Sequence, residues 1–243
     1  MKSIIEKETL QFLRALKKNN ERAWFNKNKD RFVAANENFT RFVQTLIDET
    51  AKFDKSAAGL VSKDAVFRIY RDIRFSKDKS PYKTHFGAVL TGKGNGFLAG
   101  YYLHLEPGNA FLAGGVHMTE PENMKAIRAR ISAEGKKFLK IIGDKNFKKM
   151  FTIEGEKLGR VPQGFDKEDP MAEYLKYKNL TVIHSLDDKK ILSDDFASYC
   201  AKIFKVMVPF NRFLNEAVHA QGSLPSRPSL AGQLLRERVA GRS

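Results

Sequence analysis

FLAGYYLHLEPGNAFLAGGVHM, residues Phe97–Met118, is the stretch whose reading decides the fold. Two runs rich in aromatic and aliphatic residues, Phe97–Glu106 and Ala110–Met118, flank Glu106-Pro107-Gly108-Asn109, in which Pro and Gly hold the central positions of a type II turn. A connection this short joins antiparallel strands, because a parallel pair needs a long crossover. In a tight hairpin His104 opposes Phe111, Tyr102 opposes Ala113, Gly100 opposes Gly115 and Leu98 opposes His117. A two-residue hairpin favours mirror-image turns, so a bulge would shift this register. Alternation then separates two faces. Phe97, Ala99, Tyr101, Leu103, Leu105, Leu112, Val116 and Met118 form an apolar face for packing on helices. The other offers Tyr102, His104, Glu106 and His117 around Gly100, Ala113 and Gly115, which leave a groove if no second layer fills it.

Immediately upstream, Gly92-Lys93-Gly94-Asn95-Gly96 links this hairpin to an alternating run from His85 to Gly92, with Phe86, Ala88 and Leu90 on one face. The glycine run is not a triphosphate-binding loop. That motif needs G-x-x-x-x-G-K-[ST] opening a helix, whereas here the glycines are closer together and a strand follows.

Further back lies FRIYRDIRFSKDKSPYKTHFG, residues Phe67–Gly87, where Arg68, Arg71, Arg74, Lys77, Lys79 and Lys83 stand against Asp72 and Asp78. A period of two predicts a strand over Phe67–Phe75. Phe67, Ile69, Arg71, Ile73 and Phe75 lie on its inner row, and Arg68, Tyr70, Asp72 and Arg74 on its outer row. Ser76 to Thr84, with Ser80-Pro81, predicts a loop with mobile lysines. Arg71 is the anomaly of the inner row. An unpaired buried guanidinium costs several kcal/mol, so it anchors a structural ion pair or lines a pocket that takes an anion.

Helical periodicity brackets these strands. Ile5, Leu10, Leu13 and Leu16 predict a short helix ended by Asn19-Asn20, with Asn20 able to cap the next. From Trp24 to about Phe53, Phe32, Ala35, Phe39, Phe42, Val43, Leu46 and Thr50 keep a 3.6-residue period. Pro121 opens a helix through Met124, Ile127 and Ile131. Phe138, Leu139, Ile141 and Ile142 make another, and Asn146 to Phe151 a short one. Leu180 to Leu186 reads as a further strand. After Ser193-Asp194-Asp195 a long helix buries Phe196, Cys200, Ile203, Phe204, Phe210, Phe213, Leu214 and Ala217, with a kink expected at Pro209. From Gly222 the composition turns to Gly, Ser, Pro and Arg. The expectation is one α+β domain over residues 1–220, a mainly antiparallel sheet of about four to six strands covered by N-terminal and C-terminal helices. A basic, mobile tail follows over 221–243.

The chain has 243 residues, enough to bury a sizeable core. Its single cysteine, Cys200, excludes an intrachain disulfide and any multi-cysteine metal site, and lies in an apolar helix stripe as an inert thiol. No HExxH or comparable spacing supports a metal, so no metal ligand is read from the sequence, and no cofactor is named by it. The start, MKSIIEKETLQF, lacks the apolar run of a signal peptide, and no segment is long and apolar enough to span a membrane, which makes the cytoplasm the default. A net charge of +15 and a pI near 9.8 favour polyanionic partners or simply a soluble surface.

Four segments carry a family resemblance: FLRALKKNNERAWFNKNKDRF, FRIYRDIRFSKDKSPYKTHFG, GYYLHLEPGNAFLAGGVHMTEP and LKYKNLTVIHSL. In this order, over roughly residues 10 to 215, the chain resembles the bacterial and fungal family catalogued as domain of unknown function 2461. The resemblance supports the boundaries and implies no activity, cofactor or catalytic residue.

Three readings of function stay open. The first is binding, or turnover, of an anionic, phosphate-bearing ligand by Arg68, Arg71, Arg74, Lys77, Lys79 and Lys83. Arginine grips phosphate bidentately and lysine adds a point charge. Tyr102, His104, Glu106 and His117 would then be the nearest acid–base groups, because His titrates near neutrality and Glu can fix its tautomer. The second is nucleic-acid binding, with Tyr70, Phe75 and Tyr82 as stacking groups. The third is a scaffold in which the basic motif is an internal salt-bridge network.

Overall fold

The structure, a computed structural model, describes residues 4–91 and 98–219. Among them are the helices α1 (Lys7–Lys18), α2 (Arg22–Lys27), α3 (Lys29–Ala51), α4 (Ser62–Ala65), α5 (Pro121–Ala133), α6 (Gly135–Ile142), α7 (Lys145–Met150), α8 (Ala172–Leu175), α9 (Asp188–Ile191) and α10 (Phe196–His219). The strands are β1 (Phe86–Leu90), β2 (Gly100–Leu105), β3 (Phe111–Val116), β4 (Thr152–Glu154) and β5 (Leu180–Ser185). They form one five-stranded sheet in the order β1-β2-β3-β5-β4. The protein is α+β, an antiparallel sheet packed against N- and C-terminal helices. The described residues divide into two compact units, one of 4–90, 102–112 and 185–202, the other of 91, 98–101, 113–184 and 203–219.

In the first unit, α1 buries Leu10, Phe12, Leu13 and Leu16, at the spacing of one helix face, against α3. A polar staple fixes that contact. Asn38 of α3 is buried, accepts from the Thr9 hydroxyl at 2.8 Å and the Glu6 amide at 3.1 Å, and donates to the Ile4 carbonyl at 2.9 Å. Such a fully bonded buried amide is stabilising where an unbonded one would be costly. Phe39 stacks on Phe86 of β1 at 5.2 Å, so α3 lies on the sheet through aromatic contact. Asn20 does not cap a helix. Glu21 holds the N-cap of α2, and the Asn20 amide instead donates to the Tyr82 carbonyl at 2.9 Å and accepts from the Tyr82 amide at 3.1 Å.

In the second unit, α10 continues through Pro209, and its far half covers sheet residues. Asn215 accepts from the Leu98 and Ala99 amides, and Asn211 accepts from the Gly115 amide and donates to the Gly100 carbonyl at 3.0 Å. Two asparagines one turn apart thus hydrogen-bond backbone groups at the start of β2 and near the end of β3. Phe138 of α6 packs on Phe213 at 5.5 Å. β4 pairs antiparallel with β5, Ile153 opposite Val182, an edge strand too short to give a sequence signal. The expected groove beside Gly100 is filled: a Cβ there would overlap the Thr91 side chain.

The turn between β2 and β3 is the one the sequence demands. Gly108 has φ +77°, and the Asn109 amide donates to the Glu106 carbonyl at 3.0 Å. The strand expected over Phe67–Phe75 is not continuous. Single bridges join Val66 to Ala88 and Tyr70 to Tyr82, and regular pairing then ends. Its inner row fails at the far end: Ile69 is buried, but Phe75 is 85% exposed. The chain turns at Arg74-Phe75, where the Ser76 amide donates to the Ile73 carbonyl at 3.3 Å, so the extended run ends before Phe75. Cys200 is a buried thiol whose pKa burial raises well above the ordinary value. No helix among the described residues is long and apolar enough to cross a membrane. The Gly92–Gly96 connection and the basic tail lie outside the described residues.

Candidate functional site

β2 and the residue that follows it place Tyr102, His104 and Glu106 on one face by strand alternation, and the lead into β1 places His85 over them, all within the first unit. His104 is held between two rings, the His85 imidazole at 4.1 Å and Phe111 at 4.5 Å, both stacked. The Phe111 contact is the cross-strand neighbour expected of a tight hairpin. Tyr102 Oη and His104 Nδ1 share a hydrogen bond of 3.0 Å, and His104 Nε2 lies 3.5 Å from Glu106 Oε2. All four side chains are buried.

Glu106 is the electrostatic centre of this cluster. Lys17 donates to Oε1 at 3.1 Å, as does Thr84 Oγ1 at 2.9 Å, and Asn109 donates to Oε2 at 3.1 Å. Burial pushes the Glu106 carboxyl upward. Hydrogen bonds from His104, Asn109, Lys17 and Thr84 outweigh it and hold the group well below the usual carboxylate range. His85 lies in the opposite situation. Burial first, then His104, depress its pKa well below the ordinary value, so the ring is neutral at physiological pH. Its Nε2 has no hydrogen-bond partner among the described residues, and an unsatisfied buried polar atom costs roughly 1–3 kcal/mol. A ring nitrogen of His85, one of His104 and a Glu106 oxygen all lie within 4.8 Å of one another. Chemically the cluster offers two imidazoles and an ionised carboxylate, a set able to move a proton or hold a cation. His117 belongs to the second unit.

Sequence reasoning found Tyr102, His104 and Glu106 but passed over His85, Thr84, Asn109 and Lys17. The available signal was His85 beside Thr84 at the start of an alternating run, and what hid it was the loop reading given to the residues before it.

The basic segment is differentiated rather than uniform. Arg71, whose side chain is 22% exposed, pairs with Asp78 and donates to the Ser80 carbonyl at 3.1 Å and the Ser76 hydroxyl at 3.3 Å. It therefore ties the 76–80 loop shut. Arg74 is exposed and bound to Asp72 at 2.8 Å, and Lys79 donates to the Ile73 carbonyl at 3.1 Å. Lys77 is exposed. None of Lys77, Lys79, Arg68 and Lys83 has a carboxylate ion pair among the described residues, and Arg68 and Lys83 are set apart by lying close enough for the Arg68 charge to act on Lys83. The half-buried Lys83 has its pKa lowered to about 8 by burial and by the Arg68 charge, and its amine lies 5.4 Å from the Phe67 ring. At the segment's far end, Tyr70 is 45% exposed and the Arg74 guanidinium sits 5.9 Å from the exposed Phe75 ring.

An antiparallel α+β chain with a buried imidazole–carboxylate cluster beside a cationic segment defines the structural class. The chain belongs to the DUF2461 family of conserved hypothetical proteins, whose model matches residues 8–213. No curated protein and no solved structure shows a match.

Proposed function

We propose that the segment Phe67–Thr84 binds a small phosphate-bearing anion, with Arg68 and Lys83 in contact with it and Lys77 and Lys79 adding charge at its rim. The observation that carries this reading is the closeness of Arg68 to the half-buried Lys83, with no carboxylate ion-paired to either among the described residues. Two cations kept close together, one of them half-buried, are mutually unfavourable, and an anion relieves both. Arg71 and Arg74 hold the segment's shape through Asp78 and Asp72.

The test is thermal melting in inorganic pyrophosphate. A ligand at a hundred times its Kd stabilises by about 2.7 kcal/mol, a Tm rise of about 5–10 °C for a chain of this size. Lys83→Ala and Arg68→Ala are expected to abolish that rise while leaving the unliganded Tm nearly unchanged. No rise in the wild-type protein with pyrophosphate, a nucleotide or a phosphosugar would end this reading.

A second reading, single-stranded nucleic acid, is favoured by the exposure of Phe75 and Tyr70 among Arg68, Arg74 and Lys77. Exposed rings with basic neighbours suit base stacking.

A further inference from the structure

We propose that His85, His104 and Glu106 bind a divalent first-row transition ion of the zinc class, an inference that goes beyond the anion reading and does not depend on it. Three observations converge. The first is the donor set itself, two imidazoles and a carboxylate with their ligand atoms gathered within 4.8 Å. With metal bonds of about 2.0–2.2 Å, ligand atoms of a tetrahedral site lie about 3.4 Å apart. The His104–Glu106 separation of 3.5 Å already matches that spacing, and His85, whose ligand atom lies within 4.8 Å of both, completes the set with a side-chain shift of up to about 1.4 Å.

The second observation is the His85 ring, 5% exposed, with an Nε2 that has no hydrogen-bond partner among the described residues. A buried, unbonded ring nitrogen on a ring that brings a ligand atom within 4.8 Å of the Glu106 carboxylate is accounted for by a cation between the two side chains. The third is the support around the ligands. Metal-binding histidines usually give their other ring N–H to an oxygen, and carboxylate ligands are themselves hydrogen-bonded. Tyr102 Oη at 3.0 Å from His104 Nδ1 is placed to accept that proton, leaving Nε2 as the ligand atom. Lys17, Thr84 and Asn109 fix Glu106.

Nitrogen and carboxylate donors select zinc, iron or cobalt over magnesium, which prefers an all-oxygen octahedron. Three protein ligands leave at least one position for water or for a ligand oxygen. The spacing in sequence, 85, 104 and 106, matches no helical metal motif, because the site is assembled by a strand pair.

The experiment uses the full-length protein stripped of metal and kept free of phosphate. Isothermal titration with Zn²⁺ alone is expected to give one site per chain, and Co²⁺ to give the visible ligand-field bands of a four- or five-coordinate centre. Mg²⁺ should not compete. His85→Gln and Glu106→Gln should each weaken Zn²⁺ binding by more than about a hundredfold, Asn109→Ala by about tenfold, and His184→Gln not at all. Failure of the wild-type protein to bind Zn²⁺ or Co²⁺ overturns the proposal, as does binding that survives unchanged in the His85→Gln, His104→Gln double variant. The wild-type measurement decides even if a variant fails to fold. Because pyrophosphate is absent throughout, loss of the zinc site and loss of the anion site are separate results.

Discussion

Asp78 is the residue on which the shape of the basic loop turns. Its carboxylate accepts from the Ser80 hydroxyl at 2.6 Å and the Ser80 amide at 2.9 Å and pairs with Arg71. The Ser80 bonds lead in lowering its pKa to about 2, with Arg71 a smaller contributor. The sign follows from a folded value below the ordinary carboxylate value of about 3.9. The loop gains from this charge above about pH 4 and loses it as the pH falls towards 2. Carbon-13 titration of the Asp78 carboxyl should give a midpoint near 2. Ser80→Ala should move it towards the ordinary value further than Arg71→Ala does. The reverse order would mean that the ion pair, not the local turn, organises the loop. Because the Asp78 side chain is 48% exposed, the energetic effect is expected at the loop and not in global stability. Arg71 itself was legible only in part. The sequence required that it find a partner, and a neighbour seven residues away supplied one.

At the scale of elements, Asn20 ties the N-terminal helices to the segment that precedes β1. Its side chain reproduces a strand partner for the Tyr82 backbone, while Tyr82 stacks on Phe25 at 4.0 Å. Asn20→Ala leaves a half-buried amide and carbonyl without those bonds, with an expected cost of about 1–3 kcal/mol. Hydrogen exchange at the Tyr82 amide should accelerate by a similar free energy, with the α1–α3 amides much less affected. Equal acceleration in both would show that Asn20 acts on the whole unit. The longer helices, the β2–β3 turn and β5 were legible because each rests on a local pattern: a 3.6-residue stripe, Pro-Gly at fixed turn positions, or an apolar run, whereas the four-residue helices α4, α8 and α9 are too short to carry one. The Phe67–Phe75 strand was over-read because alternation alone does not provide a partner. After the Tyr70–Tyr82 bridge, whose last bond runs from the Arg71 amide to the Pro81 carbonyl at 3.0 Å, the chain turns at Arg74-Phe75.

For the whole molecule, the charge of +15 sets how it meets polyanions. If the nucleic-acid reading is right, affinity for a generic single-stranded oligonucleotide should fall with salt by a logarithmic slope of about −0.7 per contacted phosphate. Phe75→Ala should then remove about 1–3 kcal/mol of binding through lost stacking. A flat salt response with micromolar or weaker affinity, alongside a pyrophosphate-dependent Tm, would leave the small-anion reading alone. Oligonucleotide binding unaffected by Phe75→Ala would mean attraction by general charge rather than by this segment.

What the sequence determined by itself was the set of local elements and their class: helices at either end, a hairpin at Glu106–Asn109, and an alternating face carrying Tyr102, His104 and Glu106. These follow from periodicity and turn stereochemistry, which act over a few residues. Only the tertiary structure decided that His85 stacks on His104, that Lys17 and Asn109 meet at Glu106, and that the Arg68 charge reaches the half-buried Lys83. Those relations join residues from different elements. Their energies depend on burial and distance, and neither is set until the sheet and its helices have closed around them.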